Sequence, residues 1–195
     1  MDWKNYAAKH KWDIAFVLFL AYMIFVPQNP VRIFLTELVG KARTGIEGIT
    51  LDKDEQVSLD ENVWQWTLAD DRGNTLRLGD LRGKPVLINF WSVTCPPCVA
   101  ELPSLAGLYK DYGQKVHFLF VSLDSPGRAR AFLQERSLDI PVYFRASNTP
   151  GPFRSNVIPT TIIIDANGVM RVKKTGALDW NSSRIKRLLD QWGAQ

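Results

Sequence analysis

The chain has 195 residues, 46% of them hydrophobic and 23% charged, which excludes a disordered chain and fits one domain with an appendage. Its 24 Lys+Arg against 20 Asp+Glu leave a net charge of +4, with no basic block able to neutralise a run of phosphates, so nucleic acid is not the expected partner. There are only 2 cysteines, which provide neither a framework of structural disulfides nor a four-cysteine zinc site.

The N-terminal segment has the character of a membrane-directed element. Lys4, Lys9 and Lys11 precede an uncharged run over residues 14–26, IAFVLFLAYMIFV. At 1.5 Å per helical residue the run covers roughly 20 Å, short of the ~30 Å hydrocarbon core, so Trp12 and snorkelling lysines would have to extend it. A signal-peptide core and a buried core helix are the alternatives. No small-x-small cleavage site follows, because Pro27, Gln28, Asn29 and Pro30 come next, and this favours an uncleaved anchor over residues 1–30. Arg32, Lys41 and Arg43 beyond the run nearly balance the lysines before it, so charge alone leaves the orientation open. Residues 31–60, with Gly40, Gly45, Gly48 and then LDKDE, read as a linker.

From residue 61 the pattern becomes that of a folded α/β domain. Trp64, Trp66 and Leu68 alternate with polar neighbours, residues 70–74 form a turn and residues 75–78 resume the alternation, which predicts an opening β-hairpin. After the turn at Arg82, Gly83, Lys84 and Pro85, the apolar runs VLINF (86–90), HFLFVSL (117–123) and TIII (161–164) predict strands covered on both faces. Val99, Leu102, Leu105, Leu108, Tyr109 and Tyr112 recur at helical spacing behind the cysteines. Ala129, Phe132 and Leu133 mark a second helix, and Ile185, Leu188, Leu189 and Trp192 mark a last one after the capping candidates Asn181 and Ser182. Asn167 and Gly168 predict a hairpin turn into the strand VMRV. The predicted order is a hairpin, then β-α-β-α, then a second hairpin and a final helix.

The motif Cys95-Pro96-Pro97-Cys98 carries the chemistry. Pro96 and Pro97 suit the first turn of a helix, where backbone N–H groups have no intrahelical partner. A sulfur at that end faces unpaired N–H groups and the positive end of the helix dipole, both of which stabilise thiolate over thiol. Cys98 follows one turn later, about 5 Å away between Cα atoms, within reach of a disulfide. It can therefore resolve a mixed disulfide formed on Cys95. A lone C-x-x-C is also half a zinc site. Here no further cysteine exists, and the 2 histidines are His10 in the N-terminal tail and His117 within an apolar strand, so no metal site is expected.

Taken together, NFW (89–91), CPPC, Glu101-Leu102-Pro103, VIPT (157–160) and IIIDANG with a following strand resemble the thioredoxin superfamily, specifically the membrane-anchored TlpA/ResA-type thiol-disulfide oxidoreductases. The resemblance spans residues 63–192. It implies a thioredoxin fold over residues 61–195, a central mixed β-sheet flanked by helices, with an N-terminal β-hairpin extension and an N-terminal membrane helix. It implies a bacterial inner-membrane protein, single-pass, with its catalytic domain facing the periplasm. Exported protein disulfides would be its substrates, a membrane thiol carrier its electron donor, and no cofactor is needed. Reduction, including that of apocytochrome c cysteines, is the direction the family favours; a disulfide oxidase or isomerase, a thiol-based metallochaperone and a thiol peroxidase are the alternatives.

The resemblance also assigns residues. It identifies Pro159 as a cis-proline facing the cysteines, which leaves the backbone of Ile158 free to pair with an extended substrate segment. Glu101, three residues after Cys98 on the adjacent turn, can exchange a proton with Cys98, as a functional acid does in related members. A solvated surface glutamate is the alternative. Pro103 is expected to kink the helix. Asn89 stands where thioredoxins carry a buried aspartate, and an amide hydrogen-bonds but does not accept a proton. Thr94 replaces the tryptophan common before the first cysteine. Thr94, Trp91, Ile158 and Pro159 are the expected substrate contacts, with Trp91 packed beneath the motif.

Overall fold

The computed structural model describes Tyr22, residues 50–51 and residues 55–193. Contacts divide the chain into Met1–Glu47 and Gly48–Gln195, and the sheet and helices that follow all belong to the second unit. Apart from Tyr22, the apolar run over residues 14–26 lies outside the described residues, as does most of the expected linker. No helix among the described residues is long and apolar enough to cross a membrane.

Eight strands form one mixed sheet in the order β1-β8-β7-β4-β5-β6-β2-β3. They are β1 Val57–Ser58, β2 Thr67–Asp70, β3 Thr75–Arg77, β4 Val86–Trp91, β5 His117–Ser122, β6 Val142–Arg145, β7 Thr160–Ile164 and β8 Val169–Thr175. The helices are α1 Glu61–Trp64, α2 Pro96–Tyr112, α3 Pro126–Glu135 and α4 Ser183–Gly193. Strands β4, β5 and β6 run parallel, joined by crossovers through α2 and α3, and β7 returns antiparallel on β4. The apolar runs seen in the sequence are the centre of this sheet: every residue of β4 and β7 is buried. A strand covered on both faces has no solvent side on which to alternate.

Period-2 alternation still decides which face each side chain joins. Leu87, Trp91, Phe118, Phe120 and Ile163 belong to one core with Leu102, Leu105, Leu108 and Trp180. Val86, Ile88, Phe90, Leu119, Ile162 and Ile164 belong to the other with Trp64, Trp66, Leu68 and Leu78. Each fully buried aliphatic side chain of this kind stabilises the fold by ~1.5–3 kcal/mol relative to exposure.

Strands β2 and β3 pair antiparallel across the turn after Asp70, and β2 also pairs with β6, so both lie within the sheet. Three local features differ from the sequence expectation. The end of the expected linker is part of the sheet, because Val57 and Ser58 pair antiparallel with Met170 and Val169 of β8. Trp64 is not in a strand: Asp60 accepts a hydrogen bond from the Val63 N–H at 3.1 Å and caps the one-turn helix α1. The four-residue strand β6, after Pro141, completes the parallel set and has no counterpart among the predicted elements. The β7–β8 turn needs Gly168, at φ +81°, because a Cβ there would lie 2.7 Å from Cζ2 of Trp64.

Candidate active site

Strand β4 ends at Trp91, and four residues, the last of them Cys95, lead from it to helix α2. That loop is held by Asp124, just beyond β5. Its carboxylate accepts the Val93 N–H at 2.8 Å and the Ser92 hydroxyl at 3.3 Å, while the Ser92 carbonyl accepts the Cys95 N–H at 3.2 Å. Asp124 has no local signal in the sequence, since its partners lie about thirty residues upstream and only the parallel pairing of β4 with β5 brings them together.

Cys95 is the N-cap of α2, with Pro96 and Pro97 opening the helix, and its sulfur accepts the Cys98 N–H at 3.3 Å. The two cysteines are joined as a disulfide with Cα atoms 5.3 Å apart. Cys95 is half-buried and Cys98 wholly buried, so only the first sulfur is open to a partner. The Cys95 Sγ lies 3.7 Å from the Ile158 carbonyl, and the Ile158–Pro159 bond is cis. Thr94, Pro96 and Pro97 are exposed around Cys95, Ile158 is partly exposed and Pro159 is buried. Trp91 departs from its expected place among the substrate contacts. It has no exposed surface and packs against Phe132 with ring centroids 6.0 Å apart, because the inward alternation of β4 points it into the helical core.

Glu101 is 2% exposed, which rules out a solvated surface role. Its Oε1 accepts Asn89 Nδ2–H at 2.7 Å, and its Oε2 accepts Trp180 Nε1–H at 2.9 Å and the Leu178 N–H at 3.3 Å. Asn89 gives its second amide hydrogen to Thr161 Oγ1 at 2.9 Å. Burial pushes the Glu101 carboxyl above the ordinary carboxylate range, opposed by the hydrogen bonds from Trp180, Asn89 and Leu178. Asn89 Oδ1 is buried without a partner among the described residues. Sequence reasoning misses Trp180 as a partner of Glu101. Helix α2 runs on through Pro103.

A cleft of about 560 Å³ is lined by Tyr109, Arg130, Leu133 and Pro141 and includes neither cysteine. A smaller one, about 230 Å³, is lined by Ile158 and reaches the cysteine site through it. The arrangement is that of a disulfide at a helix N-terminus, one sulfur accessible and one buried, with a buried acid on the same helix. Such a pair can exchange disulfides with a second molecule.

Residues 59–173 match the AhpC/TSA family. The chain is 36% identical over 108 residues to the thiol-disulfide oxidoreductase ResA of Oceanobacillus iheyensis, covering 54% of this chain and 56% of that protein. It is 32% identical over 125 residues to ResA of Geobacillus kaustophilus, covering 63% of this chain and 72% of that one. Among solved structures, the thioredoxin domain of a thiol-disulfide oxidoreductase from Bacteroides vulgatus aligns with a TM-score of 0.55 at 22% identity, over 63% of this chain and 91% of that one, a likeness of fold.

Proposed function

The chain belongs to the AhpC/TSA family through residues 59–173, and on that premise we propose that it is a thiol-disulfide oxidoreductase that reduces disulfides of exported proteins through Cys95 and Cys98. The observation that carries this reading is the bonded pair at the N-terminus of α2, with the accessible sulfur against the Ile158–Pro159 segment. With the pair reduced, the Cys95 thiolate attacks one sulfur of a substrate disulfide, forms a mixed disulfide and releases the other sulfur as thiolate. Cys98, as thiolate, then attacks the Cys95 sulfur. The substrate leaves as a dithiol, two electrons have passed to it, and the protein is left with the Cys95–Cys98 bond. Helix-terminal N–H groups stabilise the Cys95 thiolate at the first step. The second step must remove a proton from the Cys98 thiol, and Glu101, with its carboxyl pushed up by burial, is suited to take it. Asn89 cannot, since an amide does not accept the proton.

In this role the apolar run over residues 14–26 anchors the chain in the inner membrane, the catalytic domain faces the periplasm, and a membrane thiol carrier restores the dithiol. Cytochrome c maturation is one process that consumes such reduced cysteines.

The direct test is substrate trapping. Cys98→Ala leaves Cys95 able to form mixed disulfides that do not resolve; these are expected as adducts released by dithiothreitol, and absent from Cys95→Ala. No adduct in Cys98→Ala would overturn the mechanism. A reduction potential of the full-length protein near about −270 mV supports reduction, and one near about −120 mV assigns it as an oxidant. Rapid peroxide consumption through Cys95 would instead assign a thiol peroxidase.

A further inference from the structure

Leu123 and Val157 are 45% and 55% exposed, and besides Val57 no other large apolar side chain of this unit is exposed among the described residues. Both line the 230 Å³ cleft that reaches Ile158. Its floor is Phe90 and Phe153, 6% and 1% exposed. Arg145 and Arg154, both exposed, line it together with the neutral polar residues Thr149, Ser155 and Asn156, and no acidic residue contributes to it. Among the described residues neither guanidinium meets a carboxylate; Arg154 donates through Nε to the Thr149 carbonyl at 3.0 Å. Two cations without counter-charge beside two exposed apolar side chains form a surface complementary to an acidic, partly apolar ligand.

The wall is held in place before any ligand arrives. Lys173 Nζ donates to the carbonyls of Pro152 and Arg154, each at 2.9 Å, and the Thr160 hydroxyl donates to the Val157 carbonyl at 2.6 Å. The Ile158 N–H makes no hydrogen bond among the described residues, and its carbonyl faces the Cys95 sulfur. An extended peptide pairing with Ile158 would present its cysteine to Cys95 and its neighbouring side chains to the cleft.

We propose that this cleft selects the substrate: it takes an extended segment of a disulfide-bonded protein in which an apolar and an acidic residue flank the reacting cysteine. Leu123 and Val157 receive the apolar side chain, and Arg145 and Arg154 receive the carboxylate. The proposal rests on the oxidoreductase reading and names the substrate class of the same site.

The test compares kcat/KM of the full-length protein for two disulfide-linked peptides identical except for Glu or Lys beside the cysteine. Exposed charge pairs contribute up to ~1 kcal/mol each, so the Glu peptide is expected to be favoured about fivefold to tenfold at low salt. The gap should collapse near about 1 M salt, where the screening length falls to ~3 Å. In the double variant Arg145→Glu with Arg154→Glu the preference should invert. Equal turnover of the two peptides by the unaltered protein, or a preference that ignores salt, overturns the proposal and leaves the oxidoreductase reading standing. Failure to reduce either peptide and a small aromatic disulfide overturns both.

Discussion

On one face of the sheet Leu87, Trp91, Phe118, Phe120 and Ile163 pack against α2 and Trp180; on the other Val86, Ile88, Phe90, Leu119 and Ile162 pack against Trp64, Trp66 and Leu78. Both sets are buried. The helical face nevertheless carries a polar cluster in its interior, where Asn89 and Thr161 take strand positions on the same side as Glu101. Burying an acid costs several kcal/mol unless hydrogen bonds compensate, and here three donors converge on it. A core built for stability alone gains nothing from such an acid. Its place on the cysteine helix accords with the proton exchange proposed for it, and among the described residues the central strands of the tryptophan-lined face bury no acid.

The indole nitrogens make this contrast testable. Trp180 Nε1 donates to Glu101, while Trp66 Nε1 is buried without a partner among the described residues. Replacing either ring by Phe removes similar volume, but only at residue 180 does it remove a hydrogen bond to a carboxylate. Trp180→Phe is expected to destabilise the protein by about 1.5–3 kcal/mol more than Trp66→Phe, the range for hydrogen bonds to charged groups, measured by urea denaturation. It also removes a donor that lowers the Glu101 pKa, so the pH profile of disulfide reduction should move upward. A profile moved equally by Trp66→Phe would show that the two faces do not divide the labour.

Glu101→Gln sharpens the comparison by keeping the shape and removing the charge. The Glu101 pKa in the folded protein is raised above its ordinary value of 4.5, so the folded state holds this proton more tightly than the unfolded chain. Its contribution to stability is therefore fully present below pH 4.5 and lost as pH rises through the raised folded value. The variant should lose this slope, so that its stability relative to the parent improves as pH rises across that window. Thermal unfolding at a series of pH values measures this, and parallel curves would assign the pH dependence to other groups. Turnover by the same variant should lose the matching limb of its pH profile.

How much of the molecule is legible in the sequence differs between the two faces. Strands β4, β5 and β7 announce themselves as continuous apolar runs, and α2 by its spacing, because these elements bury one stripe or both faces along their whole length. The cysteines, Pro96 and Pro97 define their site locally. The burial of Glu101 is not legible: nothing in its own turn marks it as inside, and the indole that donates to it comes from a residue 79 positions away. Trp91 reads both as a substrate contact and as packed beneath the motif, and the pleat of β4, which turns it inward, keeps only the second. Helix α1 escapes because four residues are too few to separate a helical period from a strand's alternation. Strand β6 escapes because its outer residues, Tyr143, Phe144 and Arg145, are partly or fully exposed.

The smallest effect is expected on the tryptophan-lined face. The Arg82 guanidinium sits 4.5 Å above the Trp64 ring, and its Nη2 lies 2.7 Å from Glu61 Oε2. Both charged side chains are about half or more exposed, so solvent screens them and the two contacts together contribute about 1 kcal/mol. Arg82→Ala should lower Tm by about 2–5 °C, leaving the reduction potential and the pH profile unchanged. Trp64 is the link by which a larger consequence would travel, since it packs against Gly168 in the turn that joins β7 to β8, and β7 begins at Thr160, directly after Pro159. A shift in potential from so slight a change at Arg82 would therefore mean that the turn transmits strain along β7 to the cysteine site, and the two faces would have to be treated as one mechanical unit.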